Sequence, residues 1–265
     1  MAYCHRCGAQ LAEGASFCHR CGAPAYSQAT PSRTQPHRYS PMIAITIAAL
    51  VIAALIVVAT IVATGLPAIQ GGITGSGHLV TQRETFTGFT AVTISDGFRF
   101  TITQSTDYGA NVTIDDNLVS YVQVTQTGDV LSVGLVPGRF VLSSPRVSIS
   151  MPDLTRLDVS GGTTGSTTGF VLSHSLVVTA SGGSVMTSSG RATNLTASAS
   201  GGSQLDLTNL RVTNANVDLS GGSTATVNLN GRLDASISGG SQLHYLGNPT
   251  LGNINTSGGS GVSGG

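Results

Sequence analysis

The tripeptide Ser-Gly-Gly recurs at near-even spacing in the C-terminal part of the chain, starting at Ser160, Ser181, Ser200, Ser220, Ser238 and Ser257, with one further copy close behind at Ser263. The steps are 21, 19, 20, 18 and 19 residues. A unit this short cannot bury an apolar face alone. Stacking each unit on the last supplies the missing partner, so a period near 20 residues restricts this region to a solenoid. Aligned on the repeated serine, the residues three before it are Leu157, Val178, Ala197, Val217, Ala235 and Ile254. Those one before it are Val159, Ala180, Ala199, Leu219, Ile237 and Thr256, and those five after it are Gly165, Met186, Leu205, Ala225, Leu243 and Val262. This alternation has period two, which predicts strands with one buried face. The paired glycines permit a tight bend between one face and the next. With rungs about 4.8 Å apart, six coils give a rod of about 30 Å.

Outward positions are Ser, Thr, Asn and Asp, and Asp158, Asp206, Asp218 and Asp234 are expected to face solvent. Such a face keeps a rod soluble, and it can also bind carbohydrate or calcium. The Gly-Gly-x-Gly-x-Asp core of the β-roll calcium repeats does not occur in these repeats. Residues 79–155 alternate in the same way without Gly-Gly punctuation, and five of the seven phenylalanines fall between Phe86 and Phe140. They read as opening, aromatic-rich coils that cap one end of the core, with Pro152 marking a turn before the repeats.

All four cysteines lie near the N-terminus, in Cys4-His5-Arg6-Cys7-Gly8 and Cys18-His19-Arg20-Cys21-Gly22. Each Cys-x-x-Cys makes a tight turn that points two sulfurs the same way, and the following glycine permits a left-handed backbone. Two such turns facing each other predict tetrahedral coordination of zinc by Cys4, Cys7, Cys18 and Cys21. The alternative is a pair of disulfides. A segment this short cannot bury a useful core, so the metal supplies its folding energy. Zinc rather than iron is a choice made on geometry and abundance. His5 and His19 are expected to be exposed, because four thiolates already close the shell. A closed shell leaves no place for a catalytic water.

Residues 25–41 hold Pro31, Pro36 and Pro41 among polar residues and read as a flexible linker. Residues 42–64 are an uncharged apolar run. As a helix it spans about 34 Å, enough to cross a bilayer. A cleaved signal peptide is the competing reading, but its apolar region is usually shorter and is not preceded by a folded segment. Arg33, His37 and Arg38 precede the run, and no arginine follows until Arg83. The positive-inside rule then puts the N-terminus in the cytoplasm and the repeats outside. Cysteine usage agrees, with thiols on the reducing side and none beyond the run.

The chain has no lysine and no net charge, but the charge is unevenly spread. Residues 1–41 carry four arginines against Glu13, and residues 66–265 carry eight arginines against eleven acids. The large domain therefore lacks a basic nucleic-acid footprint. Catalysis on a β-helix needs clustered carboxylates, or a base beside a metal, along one groove. Here the acids are scattered apart from Asp115-Asp116, which reads as a turn. His174 and His244 lie in different coils with no evident acid or nucleophile in register. No enzyme is expected.

The segment YCHRCGAQLAEGASFCHRCGAP resembles the zinc-ribbon domains at the N-termini of many prokaryotic membrane proteins. That resemblance implies a structural zinc held by four cysteines. The run FTGFTAVTISDGFRFTITQSTDYGANVTIDDNLVSYVQV, followed by GDVLSVGL and VSISMPDLTRLDVSGG, resembles the auto-transporter adhesin head GIN domain family (DUF2807). That resemblance covers roughly residues 85–262 and implies a single-stranded right-handed β-helix with a cell-surface or adhesion role. No catalytic residues come with it.

The expected organisation is a zinc ribbon (1–24), a Pro-rich linker (25–41), a transmembrane helix (42–64), a second linker (65–84) and a β-helical domain (85–262). The expected protein is a single-pass membrane protein. Its extracytoplasmic domain binds a surface glycan, an envelope protein or another copy of itself. Alternatively it is a sensor whose ribbon contacts a cytosolic protein.

Overall fold

The computed structural model describes residues 2–4, 6–12, 15–24 and 72–265. These fall into an N-terminal unit and a C-terminal head. The expected linker 25–41 and membrane span 42–64 lie outside the described residues, as does the second linker up to residue 71. Among the described residues no helix is long and apolar enough to cross a membrane.

The N-terminal unit is two Cys-x-x-Cys knuckles beside a short antiparallel pair, Ala2–Tyr3 with Gln10–Leu11. The head is a β-solenoid of mainly parallel strands. Each coil of the repeat region supplies a strand before Ser-Gly-Gly and a strand after it, with a third short face between. On the first face, Val130–Leu135, Ala91–Ile94, Arg156–Val159 and Ser175–Ala180 stack in parallel register, followed by 194–199, 214–219, Arg232–Ile237 and Thr250–Thr256. On the second face, Arg146–Met151, Arg99–Gln104 and Thr164–Val171 stack likewise and continue to Gly261–Gly264. The third face was not evident in the repeat spacing. It forms where long strands such as Val185–Ala199 and Gln204–Leu219 run on around a corner, pairing Gly190 with Leu210 and Ala192 with Val212.

The residues aligned three and one before the serine are buried in every complete coil, as are Met186, Leu205, Ala225 and Leu243 after it. Gly165 sits in the same inward column. A Cβ there would meet the Phe100 carbonyl oxygen and lie 2.5 Å from the Phe100 ring, so Phe100 occupies the space a side chain would need. Phe89, Phe98, Phe100 and Phe170 are all buried, and Phe86, Tyr108, Tyr121 and Phe140 pack against the same core.

Both glycines of each evenly spaced Ser-Gly-Gly have positive φ, such as 64° and 77° at Gly221 and Gly222. Two consecutive left-handed residues define a type I′ turn, which glycine adopts without strain. The turns stack: Gly202 N donates to Gly221 O at 2.9 Å, and Gly222 N to Gly239 O at 2.9 Å. The residue after each turn, Thr163, Ser184, Ser203, Ser223 or Ser241, is polar yet buried. Each of the hydroxyls of Ser184, Ser203 and Ser223 donates 2.8 Å to the carbonyl of the serine three residues earlier. The Ser203 and Ser241 hydroxyls also accept the amides of Ser184 and Ser223 in the preceding rung, at 3.3 and 3.1 Å. This column of paired hydroxyls runs inside the corner of the solenoid.

The opening segment departs from simple coils. Ser95-Asp96-Gly97 makes the same turn one rung before Ser160, with φ of 63° at Asp96 and 74° at Gly97. Asp96 tolerates that backbone because its Oδ2 accepts the Leu135 amide at 2.8 Å and the Ser95 hydroxyl at 2.7 Å. The strands before Ser160 also do not stack in chain order. Arg146–Met151 inserts between Arg99–Gln104, to which it is parallel, and Gly109–Asp115, to which it is antiparallel. Leu79–Glu84 and Val122–Thr127 add antiparallel edges. Antiparallel edges end a parallel stack, because the next coil would need the opposite strand direction.

Candidate functional site

In the N-terminal unit the two knuckles have nearly identical geometry. Gly8 N donates to Cys4 O at 2.9 Å and Gly22 N to Cys18 O at 2.8 Å, with φ of 69° and 70° at the two glycines. The four sulfurs lie within 4.8 Å of one another, with Cys4–Cys21 at 3.6 Å and Cys7–Cys18 at 3.7 Å. A tetrahedron with zinc–sulfur bonds of about 2.3 Å has edges of about 3.8 Å, so the donor set fits the ion. The cysteines are free thiols rather than disulfides.

Their acidities show what a metal would relieve. The amides of Arg6 and Cys7 pull the Cys4 thiol down to about 6, and the Arg20 amide lowers Cys18. The Ala23 amide favours the Cys21 thiolate too, but Cys7, burial and the other two sulfurs outweigh it and push Cys21 up to about 12. Four sulfurs this close cannot all be thiolates without a cation between them, and a dication removes that conflict.

In the head, in-register strands turn outward residues into columns. One runs Ser132, Thr93, Asp158, Thr179, Ser198, Asp218, Ser236 and Asn255. Seven rung steps make it about 34 Å long. Asp206 and Asp218 are exposed, whereas Asp158 and Asp234 are half-buried. Asp234 is held below the usual carboxylate range by Arg232, whose Nε lies 2.7 Å from its Oδ2, and by the Asn253 amide. Another column is internally bonded: Asn214 Nδ2 donates to Asn194 Oδ1 at 3.0 Å, and Asn194 Nδ2 to Ser175 Oγ at 3.2 Å.

Two carboxylates, Asp115 and Asp153, act through contacts with distant segments. Asp115 ends a strand, and Asp116 opens a 3-10 helix, Asp116–Tyr121, in place of the expected turn. Asp115 is fully buried, and its two oxygens accept the amides of Gly77 at 2.9 Å and Ser143 at 3.1 Å. The Ser143 hydroxyl and those amides hold its carboxyl below the usual range against the opposing effect of burial. Asp115 therefore ties three chain segments together. His174, expected to stand apart from any acid, meets Asp153 of the neighbouring coil, Nε2 to Oδ1 at 2.7 Å. Its Nδ1 is engaged by the Ser175 carbonyl at 2.9 Å. That carbonyl and Asp153 together raise the imidazole above its ordinary value. Both ring nitrogens are occupied, and Ser175 contributes its carbonyl rather than its hydroxyl.

The family model described as "Putative auto-transporter adhesin, head GIN domain" matches residues 88–249. The chain belongs to this family. A zinc-ribbon family model matches residues 3–25, around the four cysteines. The head GIN fold recurs in solved structures. One described as "a putative adhesin" from Bacteroides fragilis is 19% identical, covers 73% of this chain and 100% of its own, and superposes with a TM-score of 0.62. One described as a "Putative lipid binding protein" from Parabacteroides distasonis is 16% identical, covers 73% and 99%, and has a TM-score of 0.50. At these identities the likeness shows the fold alone. No curated protein matches the chain in sequence.

Proposed function

We propose that this chain is a single-pass membrane protein whose head GIN domain is displayed outside the cell and binds a surface or envelope component. The observation that carries this reading is the head's outward face. Short polar side chains repeat at the rung spacing over eight strands from Ser132 to Asn255, forming a long array suited to an extended ligand. Supporting it are the uncharged run 42–64, the arginines before it and the confinement of cysteine to residues 4–21. The solenoid takes the right-handed sense that parallel crossover connections favour. The ribbon, on the cytosolic side, holds one zinc through Cys4, Cys7, Cys18 and Cys21.

Deleting residues 85–262 tests the role. Membrane insertion should persist while attachment to the surface component is lost. Unchanged attachment by the deletion strain would overturn the reading.

One observation favours a second reading, in which the ribbon recruits a cytosolic protein. Tyr3 and Phe17, each just before the first cysteine of its knuckle, are 63% and 66% exposed. A pull-down with the full chain and its Tyr3→Ser/Phe17→Ser variant, both zinc-loaded, decides it. Retrieval of a partner by the parent alone supports this reading, and identical retrieval by the two chains contradicts it.

A further inference from the structure

The eight arginines of the head are not equivalent. Arg232 is neutralised by Asp234 through two contacts of 2.7 Å. Arg99 and Arg146 are different. They are directly opposite one another on adjacent parallel strands, both exposed, at the rung where Arg146–Met151 inserts beside Arg99–Gln104. Among the described residues the ion pairs are His174–Asp153 and Arg232–Asp234, so neither of these arginines has a carboxylate within reach. Like charges opposed in register destabilise a sheet, and no carboxylate among the described residues pairs with either arginine to offset this.

The surroundings are equally unspent. Arg99 and Arg146 line a shallow concavity together with Thr101, Asn111, Thr113 and Ser148. Thr113 shares a hydrogen bond with Thr81 at 2.7 Å. Among the described residues, the side chains of Thr101, Asn111 and Ser148 have no hydrogen-bond partner. Two uncompensated guanidinium groups therefore converge on a patch of free hydroxyl and amide groups.

Resting on the surface-binding reading above, we propose that this patch binds an anionic polysaccharide. Arg99 and Arg146 grip one carboxylate or sulfate of the polymer between them, and the neighbouring hydroxyls and amide bond its sugar hydroxyls. Guanidinium groups bind such oxyanions through paired N–H donors. A polymer fits better than a small anion because the outward column through Ser148 and Thr101 continues to Ser166 and Thr187 along the rod. A lipid surface fits poorly, since no exposed apolar side chain lies in the concavity. Nucleic acid fits poorly, since the head has more acids than arginines and no exposed aromatic ring for stacking.

The test uses the full chain in detergent with polygalacturonate as the probe and its fully methyl-esterified, neutral form as the control. Three proteins are compared: the parent, Arg99→Gln/Arg146→Gln, and Arg191→Gln/Arg211→Gln. The last changes charge equally at another pair of exposed in-register arginines. The parent should bind the acidic polymer, more weakly as salt rises, and should bind the neutral form poorly. The first variant should lose at least about tenfold in affinity, about 1.4 kcal/mol, and the second less than about twofold. Because both target residues are exposed and repel each other, the first variant should melt no lower than the parent.

Equal losses in the two variants would reduce the effect to net charge and overturn the site. Binding of phosphatidylglycerol vesicles but not of the polymer would overturn the polysaccharide assignment. Retention on isolated cell-envelope fragments separates this failure from that of the broader reading. Parent and first variant retained equally would overturn this site alone, whereas a parent that is not retained would overturn surface binding and the site with it.

Discussion

The glycines of one turn should respond unequally to alanine, and the structure sets the size of the difference. Gly221 and Gly222 have φ of 64° and 77°. An L side chain in this region costs about 1–2 kcal/mol. At Gly222 that is the whole cost, because a Cβ there meets nothing within 4 Å. At Gly221 a Cβ would lie 3.1 Å from the Gly201 amide nitrogen, in the preceding rung. That rung is pinned by the bond from Gly202 N to Gly221 O, so it yields only with strain, adding about 1–3 kcal/mol by analogy with overpacked cores. At about 2–4 °C per kcal/mol for a domain of this size, Gly222→Ala should lower the melting temperature by about 2–8 °C and Gly221→Ala by clearly more. Gly222→Asn should melt above Gly222→Ala, since asparagine enters the left-handed region more readily. Asp96 is the natural precedent. It occupies the first-glycine position with φ of 63°, at the rung where the stack of turns begins. The assay is thermal denaturation of the full chain followed by its β-sheet circular dichroism. Equal melting of Gly221→Ala and Gly222→Ala, or an asparagine variant as unstable as the alanine one, would refute the stacked-turn reasoning.

The buried hydroxyl column makes its own prediction: Ser203→Ala leaves the Ser184 amide without its partner and should cost about 1–3 kcal/mol, read from the same melting curves. For Asp115 the folded carboxyl sits below its unfolded value, so its stabilisation is present above about pH 4 and is lost as pH falls through the folded value. Acid titration of Asp115→Asn should therefore show a flatter loss of stability with falling pH than the parent, and identical profiles would contradict the assignment. Stripping zinc with a strong chelator should unfold residues 2–24 while leaving the head's β-sheet signal unchanged, and Cys4→Ser should weaken metal binding, as measured by competition with a chromogenic chelator.

The sequence carried the repeat region and the cysteine centre because both are local patterns. A strict alternation places Leu157, Val178 and Ala197 inward whatever lies elsewhere, and two knuckles of equal spacing bring four sulfurs together. The hydroxyl column was also on view, since the residue after each Ser-Gly-Gly is Thr or Ser in all six repeats; a polar residue at the start of a strand simply reads as exposed. What stayed hidden depends on contacts between distant segments. Ser95-Asp96-Gly97 lacks the first glycine, and its aspartate is tolerated because of Leu135, about forty residues on. Asp115 reads as half of a turn until Gly77 and Ser143 close over it. His174 meets Asp153 only once the coil length is known, and Arg99 meets Arg146 only because a strand inserts out of chain order.

The central claim is that the solenoid stands outside the membrane and the zinc ribbon inside, and the topology of the chain in intact cells tests it most directly. A tag placed after Gly265 should be removed by external protease while a tag ahead of Cys4 survives until lysis. A C-terminal tag protected until the cells are broken would put the head in the cytosol and contradict the account.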